Sequence, residues 1–144
     1  MATAHNPARP LSPHLQIWRW GPHMAVSILH RATGSTMATL GTAIFVWWLV
    51  AAATSADAYA TFYYYVVSAS DGSTGGHVAN LVARLVGFGL TWAFFQHLFG
   101  GIRHLVLDTG AGYELRMNKR WALATMIGST LVALIVWAYI LTRH

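Results

Sequence analysis

ATGSTMATLGTAIFVWWLVAAA, residues 32–53, runs for 22 residues without one charged side chain. A helix rises about 1.5 Å per residue and the hydrocarbon core of a bilayer is about 30 Å thick, so roughly 20 apolar residues are enough to cross it. Working outward, residues 78–102 form a second apolar run interrupted only by Arg84, whose long stem can carry its guanidinium to the interface. Residues 121–141 form a third, uncharged run. Buried helices of a water-soluble bundle would show polar faces at the helical period, and these runs lack them. The expected fold is therefore all-α: an integral membrane protein with three transmembrane helices, preceded by a short N-terminal interfacial segment (about residues 1–23), in a single transmembrane domain spanning residues 1–144.

Composition agrees. Charged residues make up 9% of the 144-residue chain and apolar residues 56%, where a soluble domain carries about a quarter charged residues. Seven Trp, six Tyr and six Phe suit the headgroup level of a bilayer. With no cysteine, the chain forms no disulfide and holds no thiolate-bound zinc or iron–sulfur cluster; any redox chemistry needs a borrowed cofactor. The net charge of +5 does not point to nucleic acid, because the Lys and Arg residues are scattered around apolar runs rather than clustered in a basic stripe. Pro7, Pro10 and Pro13 interrupt any short apolar stretch near the N-terminus, so no cleaved targeting segment is expected.

The positive flanks give an orientation. Arg9, Arg19 and Arg31 precede the first span, and Arg103, Arg116, Lys119 and Arg120 lie around the connection between the second and third, while residues 54–77 contain no Lys or Arg. Cytoplasmic loops are enriched in these residues, which puts the N-terminus and the second loop on the cytoplasmic (or matrix) side. In the first loop, Tyr59, Phe62, Tyr63, Tyr64 and Tyr65 are expected along the interface, followed by a Gly-rich turn over residues 71–76.

Ionisable groups inside a membrane are costly and tend to be functional, so His97 in the second span asks for a reason. Ala93, Gly100 and Gly101 stand three or four residues from it and His104 stands seven, so one helical face surrounds an imidazole with small residues. Two readings stand side by side: an axial ligand to haem iron, or a histidine hydrogen-bonded to a neighbouring helix with the glycines serving helix packing. As a ligand His97 fills one axial position. His104, on the same face, cannot reach the other side of that iron, and no other histidine lies in mid-span, His30 and His104 being near the cytoplasmic interface and His77 on the opposite side. A six-coordinate haem therefore has to be shared with another subunit; the alternative is a five-coordinate haem.

Ser27, His30 and Arg31 fall within about one helical turn at the start of the first span, and Ser27 and Arg31 share a face. A hydroxyl and a guanidinium there can donate hydrogen bonds to a quinone carbonyl and offset the charge that reduction adds. His30 or Arg31 can equally meet a haem propionate, or Arg31 can be an ordinary positive flank and Ser27 an ordinary helix-start residue. Asp108, four residues after His104, is either a hydrogen-bond partner that orients it or one half of a surface ion pair. No Gly-rich phosphate loop, paired carboxylates or Ser/His/Asp arrangement suggests a hydrolase or a nucleotide enzyme.

Taken together, these residues resemble the cytochrome b subunit family of succinate dehydrogenase (complex II). The likeness rests on Arg9-Pro10-Leu11-Ser12-Pro13-His14-Leu15, then Ser27-Ile28-Leu29-His30-Arg31-Ala32-Thr33-Gly34. A second motif comprises His97, Gly101-Ile102-Arg103-His104-Leu105, Asp108 and Gly110. It covers nearly the whole chain, the first loop and third span matching in character only. Leu107 departs from it, standing where the family usually has an aromatic residue or Met. The resemblance implies a four-subunit complex: a flavoprotein that oxidises succinate, an iron–sulfur subunit that relays electrons, and two anchors that bind one haem b between them and help form the ubiquinone site. It implies His97 as the axial ligand, His30, Arg31 and His104 near the haem, and Ser27 and Arg31 at the quinone. It also implies a bacterial cytoplasmic or mitochondrial inner membrane, with residues 9–20 running along its surface against the iron–sulfur subunit. The alternatives are a haem-free structural anchor and the cytochrome b of a related quinone oxidoreductase such as fumarate reductase. Dihaem members of that class need four ligand histidines, and this chain offers one in mid-span.

Overall fold

The computed structural model describes residues 13–69 and 71–143, and every regular element among them is helical. A single turn, α1 (His14–Ile17), is followed by exposed Trp18, Arg19 and Trp20. Pro22, with its φ already set for a helix, opens α2 (Pro22–Thr36). A π-helical segment, Met37–Gly41, joins α2 without a break to α3 (Thr42–Thr54). Helix α4 (Ala56–Val66) carries the tyrosine-rich stretch, and α5 (Thr74–Asp108) and α6 (Leu115–Arg143) complete the chain. Three continuous helices, Pro22–Thr54, Thr74–Asp108 and Leu115–Arg143, are long and apolar enough to cross a membrane. The expected runs 32–53, 78–102 and 121–141 each lie inside one of them. The helices overshoot the runs because hydropathy marks only the part that suits hydrocarbon, whereas backbone hydrogen bonding continues into the headgroup region. The largest difference is at the first span, whose helix begins ten residues early and takes in Ser27, His30 and Arg31. The expected interfacial segment falls mostly on residues 1–12, outside the described residues.

Caps and turns set the ends. Ser55 Oγ accepts from the Ala58 amide at 3.1 Å to open α4, and Ser73 Oγ accepts from the Gly76 amide at 2.9 Å to open α5. The Asn80 side chain reaches back across the turn, accepting from Ala69 N at 2.6 Å and donating to Ala69 O at 3.0 Å. Gly110 (φ 84°) and Gly112 (φ 81°) take the left-handed conformation that lets the chain reverse tightly between α5 and α6.

Helices α2, α5 and α6 pack on one another. Ala93, Gln96, Gly100 and Arg103 of α5, and Ala122, Thr125, Ser129 and Ala133 of α6, are buried. At three- and four-residue spacing these mostly small side chains form facing stripes that let the backbones approach. Indole hydrogen bonds tie the same pair: Trp92 Nε1 to Thr130 Oγ1 at 3.1 Å and Trp137 Nε1 to Thr91 Oγ1 at 3.2 Å. Beyond the π segment the first span leaves this group. Helix α3 packs on α4, which in turn reaches α5, and Trp47 meets the buried Phe62 edge-on with ring centroids 5.2 Å apart. A π turn places an extra residue in the helical ladder; here Thr42 Oγ1 donates five residues back to Met37 O at 3.3 Å.

Candidate functional site

His97 lies six residues past the midpoint of α5, about 9 Å toward its C-terminal end at 1.5 Å per residue. Its Nδ1 is 3.0 Å from the backbone oxygen of His30 on α2. A carbonyl only accepts, so Nδ1 carries a proton; in the neutral imidazole the lone pair is then on Nε2, the tautomer a metal ligand requires. Nε2 makes no hydrogen bond to a described residue. The two imidazoles stack with centroids 4.0 Å apart and planes 4° from parallel, and His104 lies 5.0 Å from His30 at a tilt of 58°.

Glycines make this approach possible. A Cβ on Gly34 would stand 2.7 Å from His97 Cε1, and a Cβ on Gly100 would stand 2.6 Å from His30 Nδ1. Each helix therefore offers a glycine to the other helix's histidine. The pattern has a trace in the sequence, where a glycine follows each histidine by three or four residues: His30 to Gly34, and His97 to Gly100 and Gly101.

The structure adds a contact that the sequence did not suggest. His30, expected near the interface at the start of the first span, packs within α2 against His97, with Nδ1 buried and without a partner among the described residues. Face-to-face stacking does not make it a second ligand to the same iron, since opposed axial ligands point their nitrogens at each other across the metal.

Ser27 is half-buried and Arg31 exposed, one turn apart on α2, and neither side chain hydrogen-bonds a described residue. Asp108 ends α5 exposed; among the described residues it makes neither a side-chain hydrogen bond nor an ion pair, and so is not brought onto His104. Two polar contacts were not expected. The Arg103 guanidinium, 7% exposed, donates to Asn118 Oδ1 on α6. Ser129 Oγ donates to Gln96 Oε1 at 2.6 Å, both residues fully buried. Both join α5 to α6 on the stripe beside His97, where a buried polar group needs a partner. Between α2 and α5 lies an apolar groove of about 290 Å³ lined by Leu29, Thr33, Thr36, Leu40, Leu90 and Trp92.

The family profile described as "Succinate dehydrogenase/Fumarate reductase transmembrane subunit" matches residues 5–137. The chain belongs to this family. Among its relatives, the succinate dehydrogenase cytochrome b556 subunit of Paracoccus denitrificans is 34% identical over 135 residues, 94% of each chain. The cytochrome b556 subunit of Rickettsia conorii is 28% identical over 90% of each chain. The mitochondrial cytochrome b560 subunit of Sus scrofa is 35% identical over 107 residues, 74% of this chain and 57% of that one. As a succinate dehydrogenase transmembrane subunit with three membrane-crossing helices, the protein is a multi-pass membrane anchor. In such an anchor the paired histidines, like Arg103 and Gln96 and unlike the exposed Arg31 and Asp108, are polar groups that the helix packing itself holds in place.

Proposed function

We propose that this chain is the large cytochrome b anchor of a succinate:ubiquinone oxidoreductase, sharing one haem b with a smaller anchor subunit and forming part of the ubiquinone-reduction site. The observation that carries the reading is the His97 Nδ1 hydrogen bond to the His30 carbonyl. It supports His97 as the axial ligand, because ligating histidines usually donate their second ring nitrogen to a carbonyl or carboxylate, which fixes the ring and raises its basicity. The residues fit the group in a second respect: among the described residues, Nε2 is left without a partner and no opposing nitrogen is supplied, as a shared haem requires. When bound, haem b supplies a one-electron centre. His30, Arg31 and His104 are the donors available for its propionates, with Asp108 close to His104 in sequence. Ser27 and Arg31 are the donors for a quinone carbonyl, on the helix face at the end where electrons from an extrinsic iron–sulfur subunit arrive.

The partners on this reading are a flavoprotein, an iron–sulfur subunit, the small anchor and membrane lipid. The membrane is the bacterial cytoplasmic or mitochondrial inner membrane, with the N-terminus on the cytoplasmic or matrix side. The names of the relatives favour succinate dehydrogenase over fumarate reductase. The test is His97→Ala in the assembled complex: the b-type reduced-minus-oxidised spectrum is expected to vanish or change severely, and His104→Ala to perturb it less. An unchanged spectrum and potential in His97→Ala would overturn the ligand assignment, and a native complex with no b-type spectrum would leave a structural anchor.

A further inference from the structure

We propose that Gly34 is a positioning residue for His97: the space its missing side chain leaves lets the imidazole reach the His30 carbonyl, which fixes the tautomer and plane of the ring. The proposal rests on the reading of His97 as haem ligand and adds to it a determinant on another helix. A Cβ at Gly34 would stand 2.7 Å from His97 Cε1 and 3.1 Å from His97 Nδ1, well inside the optimum of about 3.5–4.0 Å for carbon contacts. Gly34 lies within α2, next to the buried Thr33, so its backbone has little freedom to retreat. The ring has to turn away instead, and in turning it loses the bond to His30 O.

That bond has no substitute nearby. The Thr33 hydroxyl also lies 3.1 Å from His30 O, but its single proton has a closer acceptor in Leu29 O at 2.7 Å. Beyond the helical bond from the Gly34 amide, the second lone pair of the carbonyl is thus left to His97. A ligand imidazole that donates its Nδ1 proton to a carbonyl is more basic and favours the ferric state; without the bond it is a weaker donor, and the reduction potential rises. Gly101 supplies the comparison. A Cβ there comes no closer than 3.9 Å to His30, so Gly101→Ala makes the same glycine-to-alanine exchange, in a helix, without the clash.

The experiment is a redox titration of the haem, with the ferric EPR spectrum, in the assembled complex carrying Gly34→Ala or Gly101→Ala. The expected result is an upward shift in potential and altered ferric g-values for Gly34→Ala, with Gly101→Ala matching the native complex. A second arm needs no variant: pulsed EPR of the native ferric complex reads the quadrupole coupling of the remote imidazole nitrogen, which should report a protonated, hydrogen-bonded Nδ1. Equal potentials and spectra in the two variants, or a native remote nitrogen that is unprotonated or unbonded, would overturn the proposal. Should Gly34→Ala fail to assemble, the pulsed measurement decides alone. Haem binding that survives His97→Ala overturns the ligand reading itself, a result separable from both.

Discussion

At the scale of single residues, Ser27 and Arg31 differ in what their loss removes. Ser27→Ala takes away one neutral hydrogen-bond donor, a loss of about 0.5–1.5 kcal/mol, or a few-fold to about tenfold in rate if it acts on the reacting quinone. Arg31→Ala also removes a charge where the surroundings screen it poorly, so the larger loss is expected there. Arg31→Lys should restore only part of it, because an ammonium lacks the planar fork of donors. The measurement is succinate–quinone reductase activity beside succinate oxidation by an artificial acceptor that bypasses the membrane; the first should fall while the second holds. Normal quinone turnover and inhibitor sensitivity in both alanine variants would reduce Arg31 to an interfacial flank. That Ser27 and Arg31 share a face was legible in the sequence, because their four-residue spacing sets them one turn apart on α2. The Arg103–Asn118 contact was not, because it depends on how the turn through Gly110 and Gly112 sets α6 against α5. Nor was the stacking of His30 on His97, which needs α2 to begin ten residues before the uncharged run.

Among the elements, the link from α4 to α5 is held by electrostatics and hydrogen bonds rather than by a core. Tyr64 Oη donates to Asp71 Oδ2 at 2.7 Å, and Asp71 also accepts from Ser73 N at 3.1 Å and Ser73 Oγ at 2.9 Å. The Tyr64 bond, followed by those from Ser73, holds the Asp71 carboxyl below its usual range, while the same Asp71 bond pushes the Tyr64 phenol above its own. The signs follow from linkage. The contribution of Asp71 is complete above the ordinary carboxylate pKa and is lost as pH falls through its lowered value. That of Tyr64 is complete below the ordinary phenol pKa and is lost as pH rises through its raised value. Turn order should therefore be flat with pH across the neutral range. Asp71→Asn is expected to speed amide hydrogen exchange at Ser73 and to weaken the low-pH dependence, leaving exchange at His97 and its neighbours unchanged. Equal exchange at Ser73 in variant and native chains would mean that the carboxylate does not order the turn. The turn was readable from composition only in part, since Gly75 and Gly76 of the expected stretch over residues 71–76 lie in the first turn of α5, and Tyr64 as its anchor was not readable, since a tyrosine beside a membrane reads first as an interfacial ring. The π segment left no sequence signal, because Met37, Ala38, Thr39, Leu40 and Gly41 fit an ordinary transmembrane helix equally well.

For the molecule as a whole, the lipid-facing and partner-facing surface is large. Only 6%, 6% and 17% of the most apolar windows of the three spans are buried within the chain, so most of each span must be covered by lipid or by other subunits. Phe45, Trp47, Trp48, Leu49 and Val50 of α3 are exposed once the first span leaves α5 and α6. Which way this assembly sits in the membrane follows from charge. Residues 54–77, now seen to include α4 and the start of α5, carry no Lys or Arg, whereas the opposite end gathers Arg116, Lys119 and Arg120 in the first turns of α6. Arg84 and Arg143 lie nearer the uncharged-loop end, but Arg84 is exposed on α5 and Arg143 sits over the Tyr139 ring at 5.4 Å, as expected of residues that reach for the interface. The cationic excess is greater at the α5–α6 turn, and that turn is expected on the cytoplasmic or matrix side. Because the chain has no cysteine, a single introduced thiol reports its position without background. Thr74→Cys is preferred to a thiol at Ser73, whose hydroxyl caps α5. Thr74→Cys should react with an impermeant maleimide from the periplasmic or intermembrane side of sealed membranes. Tyr113→Cys, in the exposed turn before α6, should react only once the cytoplasmic or matrix face is opened. The opposite pattern would invert the topology and with it the placement of Ser27 and Arg31 at the end of the bundle where an extrinsic electron donor docks.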